Sequence, residues 1–197
     1  MDLTKHGGRM EDRYLQTKKQ KIKLQREYED AAILDIGGGG EGFIGRLYGK
    51  NVIAIDPRED ELLETDNDSI KLIMDGRALK FTDENFDVVT LFYSLMYMNI
   101  ETKLEVLSEA VRVLKRNGLL DIWDVDLPDY KNDGKDVFVA QLDVELEDDI
   151  TSTGYGVLLE GKKQSKSSID AMLEPLGLKL IKEECMDQSF RLQYKKL

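Results

Sequence analysis

The sequence predicts an α/β fold in which a doubly wound, mostly parallel sheet presents a ligand site at the carboxyl ends of its strands. Two observations predict the fold and a third places the site. Apolar stretches of strand length alternate with stretches of helical period through the first 126 residues. A strict two-residue alternation appears only afterwards, over 137–146. Four consecutive glycines, Gly37 to Gly40, follow the first strand of the alternating series. At 197 residues, with 41 % apolar residues and three prolines, the chain is expected to form one domain over 1–197.

The elements follow in order. Residues 10–30 read as a helix, and residues 1–30 as an N-terminal helical lid. "AAILDI" (31–36) reads as a buried strand and "EGFIGRLYG" as a short helix closing near Gly49. "NVIAID" (51–56) is a second strand stopped by Pro57, "EDELLET" a short helix, "IKLIMD" (70–75) a third strand and "FDVVTLF" (86–92) a fourth. "ETKLEVLSEAVRVLKRN" (101–117) is the clearest helix, with Leu104, Leu107, Val111 and Leu114 as its apolar stripe and Gly118 as its cap. "LLDIWDVD" (119–126) is a fifth strand. In "VFVAQLDVEL", Phe138, Ala140, Leu142, Val144 and Leu146 share one face, which predicts an antiparallel hairpin over 137–160 with "TSTGYGVLLE". A helix, "SSIDAMLEPLG", and two strands, "LKLIKEECM" and "SFRLQYKKL", complete the series.

Bulk chemistry narrows the function. A net charge of −11 repels phosphate backbones and disfavours nucleic acid as the main partner. The basic stretch "RYLQTKKQKIKLQR" (13–26) reads as a solvated helix face rather than an RNA or lipid patch. A single cysteine, Cys185, read as a half-buried strand residue, excludes an intramolecular disulfide, and a single histidine, His6, excludes a histidine cluster. The charged start does not read as a signal peptide, and the most apolar run (86–100) is too short and interrupted to span a bilayer. The expected setting is cytoplasmic, without a membrane, and the expected state a monomer or homodimer acting on a small-molecule substrate.

The glycine loop carries the chemistry. Gly37, Gly39 and Gly42 satisfy G-x-G-x-x-G, and Asp56, at the end of the second strand, stands where an acid can accept hydrogen bonds from a ribose diol. A dinucleotide would bring its pyrophosphate to this loop, where Asp35 and Glu41 repel it. A ligand with an amino group and no phosphate suits those charges better, and S-adenosylmethionine is such a ligand. Two other readings stay open: a nicotinamide-dependent reductase, whose Tyr-x-x-x-Lys pair is matched only upstream by Tyr14 and Lys18, and a non-catalytic adenosine- or S-adenosylmethionine-binding module.

"ILDIGGGGEG", "MDGRALKFTDENFDVVTLFYSLMYM" and "VLKRNGLLDIWDVD", in that order, resemble the class I S-adenosylmethionine-dependent methyltransferases, most nearly the small single-domain type 11 group. The resemblance covers about 31–127 and 167–197 and implies a Rossmann-like sheet with an antiparallel C-terminal strand. It implies that Asp35, Gly37, Gly38 and Gly39 hold the methionine portion of the cofactor, chiefly through backbone. Asp56 would bind the ribose, Pro57 border the adenine, and Asp75 accept the adenine amino group beside backbone amides of Gly76 and Arg77. Phe92 and Tyr93 would lie near the sulfonium. The chain departs from the pattern at Glu41, where the family's loop has glycine, at Arg116 in place of a proline, and at Met96 and Tyr97 in place of a histidine pair.

Direct displacement of a methyl group needs alignment first and a base only if the acceptor is protonated. The candidate catalytic residues are Tyr97, Tyr14 and Asp124, with Tyr155 as a further positioner. Asp124 and Asp126 could together hold a cation, but two acids so spaced are more often solvated, and no metal is assigned. Met96, Met98, Tyr97, Phe138 and Tyr155 hint at an apolar or aromatic acceptor.

Overall fold

In Gln20–Leu24, residues Gln20, Ile22 and Leu24 are buried while Lys21 and Lys23 are exposed, a period of two rather than 3.6. The expected helix over 10–30 is therefore two short strands in the computed structural model, β1 (Tyr14–Gln16) and β2 (Gln20–Leu24). The structure describes residues 13–147 and 149–197; residues 1–12, His6 among them, lie outside the described residues. The series continues with β3 (Ile33–Ile36), α1 (Phe43–Tyr48), β4 (Val52–Asp56), α2 (Glu59–Glu64), β5 (Ile70–Ile73), β6 (Phe86–Phe92), α3 (Ile100–Val113) and β7 (Leu114–Val125). The hairpin β8 (Val137–Leu146) and β9 (Asp149–Leu158) follows, then α4 (Lys166–Leu173), β10 (Leu178–Met186) and β11 (Ser189–Lys196).

Seven strands form the main sheet in the order β10-β11-β7-β6-β3-β4-β5. The five from β7 to β5 run parallel, and β11 enters antiparallel between β7 and β10. Successive residues of a strand face opposite layers, so Ile33 packs toward α1 while Leu34 and Ile36 pack toward α3. The topology reverses at β3, which has β4 on one side and β6 on the other. A crevice therefore opens there, beyond the strand ends.

The second sheet covers the α1 side. β8 is its centre, with β9 antiparallel on one edge and β1 and β2 parallel, one after the other, on the opposite edge. Phe138, Ala140, Leu142, Val144 and Leu146 are buried as the alternation predicts. Ile22 and Leu24 join the same core, each contributing about 1.5–3 kcal/mol through burial. On the outer surface, Lys19, Lys23 and Arg26 pair with Asp143, Glu145 and Glu147 at 3.2, 2.9 and 3.5 Å. Acids from β8 and the turn after it thus pair with three cations of the basic stretch 13–26. The stretch is an edge of paired charges, not a helix face.

Two further expectations need correction. The helix α3 ends at Val113, and Lys115 to Gly118 belong to β7. Gly118 is therefore no helix cap; a Cβ there would stand 2.8 Å from Leu114 Cδ1 and 2.9 Å from the Asp87 carbonyl oxygen. The buried stripe of α3 is Lys103, Val106, Leu107, Ala110, Val111 and Val113, and Leu104 is 45 % exposed. Cys185 is exposed on the edge strand β10 rather than half-buried. No helix among the described residues is long and apolar enough to cross a membrane.

Candidate functional site

The crevice is a cavity of about 910 Å³ lined from the carboxyl ends of β3, β4 and β6, from the loops after them, and from β9. Eleven residues expected to hold the cofactor line it: Asp35, Gly37, Gly38, Gly39, Asp56, Pro57, Asp75, Gly76, Arg77, Phe92 and Tyr93, and Tyr97 joins them.

The loop is glycine for reasons of space as well as conformation. Gly37 and Gly40 have φ of +78° and +61°, which side chains resist. A Cβ on Gly37, Gly38 or Gly39 would approach Ser94 Cβ, Asp35 Oδ2 or Glu61 Cβ to 2.6 Å. The Gly37 and Gly38 amides donate to the Ile55 carbonyl at 2.8 and 3.1 Å. Their direct offer to a ligand is therefore through carbonyls.

Asp35 is wholly enclosed at the end of β3, and burial pushes its carboxyl up to about 7 against a 2.7 Å hydrogen bond from Thr90 Oγ1. Asp56 accepts the Arg58 amide on Oδ1 at 2.9 Å, and desolvation raises it too. Asp75 is held by the Arg77 guanidinium at 2.6 Å and by the Arg77 amide at 2.9 Å, which together lower its pKa. The Arg77 amide is thus already engaged. A ligand amino group at Asp75 would compete with a half-exposed ion pair worth about 0–1 kcal/mol.

At the end of β6, Phe92 packs between Phe43 and Trp123, with ring centroids at 5.4 and 6.0 Å. Tyr93 follows in the left-handed region at φ +50°, a strained setting for an aromatic residue. Its hydroxyl donates to Ser189 Oγ at 2.6 Å, away from the cavity. Ser94, next in sequence, lines the cavity and is buried, yet its Oγ has no hydrogen-bond partner. No periodicity marks a lone serine, and sequence reasoning missed it.

Two expected catalytic residues lie elsewhere. Tyr14 sits on β1 and does not reach the cavity lining. Asp124 is buried beneath it, accepting the Met96 amide at 3.2 Å, the Val125 amide at 2.8 Å and Gln164 Nε2 at 2.8 Å. Burial pushes its carboxyl up to about 6, while the Lys103 ammonium pulls it down. These donors and that cation leave Asp124 no role as base or metal ligand. Met96 and Phe138 are core, whereas Met98, Tyr97 and Tyr155 do line the cavity. Glu41, noted in the sequence only as a departure, ties the loop to β9 by accepting the Tyr155 hydroxyl at 2.7 Å and the Thr153 hydroxyl.

The site's chemistry fits a phosphate-free adenosine ligand with a cationic end. Six acids line the cavity against two arginines, and those arginines are paired with Asp60, Glu61 and Asp75. A pyrophosphate would meet net repulsion, whereas the ammonium of a ligand's amino-acid end would find the Asp35 carboxyl, which has no cationic partner among the described residues. The glycine cradle and the unpartnered Ser94 hydroxyl mark where a polar ligand can seat.

Residues 34–122 match the family model described as a methyltransferase domain. No curated protein matches the chain in sequence. Among solved structures, the chain is similar to the PH0226 protein of Pyrococcus horikoshii, at 18 % identity over 91 % of this chain and 84 % of that one, with a TM-score of 0.59. It is similar to a SAM-dependent methyltransferase of Methanosarcina mazei, at 16 % identity over 86 % and 94 %, TM-score 0.62. A SAM-dependent methyltransferase of Aquifex aeolicus is also similar, at 17 % identity over 86 % and 84 %, TM-score 0.58. At these identities the structural likeness is one of fold. With the family match, residues 34–122 form a methyltransferase domain, set in the Rossmann-like fold shared with S-adenosylmethionine-dependent methyltransferases.

Proposed function

We propose that the chain methylates a small-molecule acceptor by direct displacement, with S-adenosylmethionine seated across the glycine loop. The observation that carries this reading is the convergence on one cavity of Asp35, Asp56 and Asp75 from three successive strand ends, with no free cation for a pyrophosphate among the described residues. When bound, the cofactor supplies a methyl group on a positively charged sulfur. The protein's part is placement. Asp35 offers a carboxylate to the amino-acid end, and Asp56 keeps Oδ2 for a ribose hydroxyl while Oδ1 holds the Arg58 amide. Phe92 and Tyr93 wall off water where the groups meet, and alignment of this kind contributes about 7–11 kcal/mol. Tyr97 and Tyr155, at the open side, position the acceptor. A small acceptor suits the cavity's size and its cover by β9, and cytoplasmic residence suits a chain with one exposed cysteine.

Calorimetric titration with S-adenosylmethionine, S-adenosylhomocysteine and NADH tests this, with Asp56→Ala as control. Micromolar binding of the first two, lost in the variant, is the expected result. Binding of NADH alone would replace methyl transfer with redox chemistry.

A further inference from the structure

On the methyl-transfer reading, the acceptor occupies the part of the cavity that the cofactor leaves free, and the wall left there is Glu41, Tyr93, Tyr97 and Tyr155. We propose that this chamber is the acceptor subsite and that it takes an acceptor carrying an amine, held as its ammonium by the Glu41 carboxylate and the tyrosine rings.

Charge supports the assignment first. Glu61 pairs with Arg58 at 2.9 Å and Asp75 with Arg77 at 2.6 Å, whereas Glu41 has no cationic partner among the described residues. Its two contacts, the Thr153 and Tyr155 hydroxyls, satisfy hydrogen bonds and leave the negative charge uncompensated. Aromatic surface comes next. The Tyr93 and Tyr155 rings lie 5.4 Å apart at 33°, and Tyr97, 44 % exposed, stands at the mouth. Ring faces beside a carboxylate attract a cation and give a carboxylate ligand nothing. The buried, unpartnered Ser94 Oγ in the same cavity gives a ligand polar group an anchor. Gly154 and Gly156, on either side of Tyr155, line the cavity through their backbone. At long range, the net charge of −11 draws cationic molecules toward the protein.

The test is calorimetry on the full chain saturated with S-adenosylhomocysteine, using benzylamine, phenol and benzoate as probes, in wild type, Glu41→Gln and Tyr155→Phe. Benzylamine is expected to bind at least tenfold more tightly than phenol or benzoate and to lose at least tenfold in Glu41→Gln. Tyr155→Phe keeps the carboxylate and the ring and is expected to lose less. Affinity of Glu41→Gln for S-adenosylhomocysteine should stay within threefold of wild type. In wild type alone, benzylamine binding should weaken as pH rises through the amine's own pKa, because the ammonium is the form bound.

Preference for phenol or benzoate, no probe bound, strengthening at high pH, or undiminished benzylamine binding in Glu41→Gln would each overturn the assignment. So would loss of S-adenosylhomocysteine binding in Glu41→Gln, which would give Glu41 to the cofactor. If S-adenosylhomocysteine fails to bind wild type, it is the methyl-transfer reading that falls.

Discussion

Thr90 Oγ1 on β6 donates to Asp35 Oδ1 on β3 at 2.7 Å, and both side chains are shut off from solvent. The bond favours the ionised carboxylate, yet desolvation outweighs it and leaves the group titrating at about 7. An acid whose folded pKa lies above its unfolded value costs stability as pH rises, from little below about 4 to the full amount above about 7. Asp35→Asn should therefore stabilise the ligand-free protein at pH 8 by up to about 4 kcal/mol, and by clearly less at pH 5. Denaturant unfolding at the two pH values measures the difference.

The same titration predicts how the cofactor binds. A cationic ligand group needs Asp35 ionised, and a group titrating at about 7 goes from about one-tenth to nine-tenths ionised between pH 6 and pH 8. Affinity for S-adenosylmethionine should rise about five- to tenfold over that range in wild type and stay flat in Asp35→Asn. Isothermal titration in buffers of different ionisation heat should also show proton release on binding at pH 6.5.

Gly38→Ala would place a methyl group 2.6 Å from Asp35 Oδ2 and 2.9 Å from Ala54 Cβ. Neither neighbour can retreat, one being the site's buried acid and the other part of β4. A loss of about 1–3 kcal/mol in stability is expected, with at least a tenfold loss of S-adenosylhomocysteine affinity. Thermal shift with and without ligand separates the two effects.

Lys103, 1 % exposed on α3, is pushed down to about 8 by burial while Asp124 pulls it up. Lys103→Met removes the cation that acts on Asp124, so the Asp124 carboxyl rises beyond about 6. A raised carboxyl pKa lets stability fall with pH up to the new value. Relative to wild type, the variant should lose stability between pH 6 and pH 8, whereas loss of an ordinary surface lysine, charged throughout that window, would leave the pH dependence unchanged. Melting temperatures at the two pH values decide it.

Arg191 is the pin of the amino-terminal segment. Its guanidinium bonds Asp121 at 2.6 and 3.0 Å and Glu27 at 2.7 and 2.8 Å, and lies 4.6 Å over the Trp123 ring. Arg191→Met leaves the buried Asp121 carboxylate without its cation, at a cost of about 3–5 kcal/mol. It also releases Glu27, so limited proteolysis should open the chain between residues 17 and 30.

Legibility followed the range of the forces involved. β3 and β4 were readable because short buried apolar runs end at a glycine or an acid, and β6 because Val88 to Phe92 is a near-continuous apolar run. β8 announced itself by its alternation. β2 carries the same alternation over only five residues, among lysines and glutamines that also suit a helix, and its partner is distant in sequence. In α3 the buried stripe runs through Lys103 because that ammonium donates to the Lys163 carbonyl at 3.4 Å and feels the Asp124 charge, a reason invisible in a list of apolar residues. At the site, Asp35 and Asp56 were legible from the loop, and Asp124 looked alike until burial and three donors removed it from the cavity. Ser94 and Thr90 carry no pattern, and only their surroundings give them roles.

β8 pairs with strands from residues 14–24 as well as with its own hairpin partner, and this sets a schedule for synthesis. Thr17 and Gln141, which meet in the small sheet, are 124 positions apart. At about 5–20 residues per second, a ribosome takes roughly 6–25 s to cover that distance. During this interval Ile22 and Leu24 have left the tunnel without the strand that will bury them. The nascent chain thus carries an unpaired, lysine-studded edge for seconds, and those lysines, awaiting Asp143 and Glu145, keep it soluble until β8 emerges.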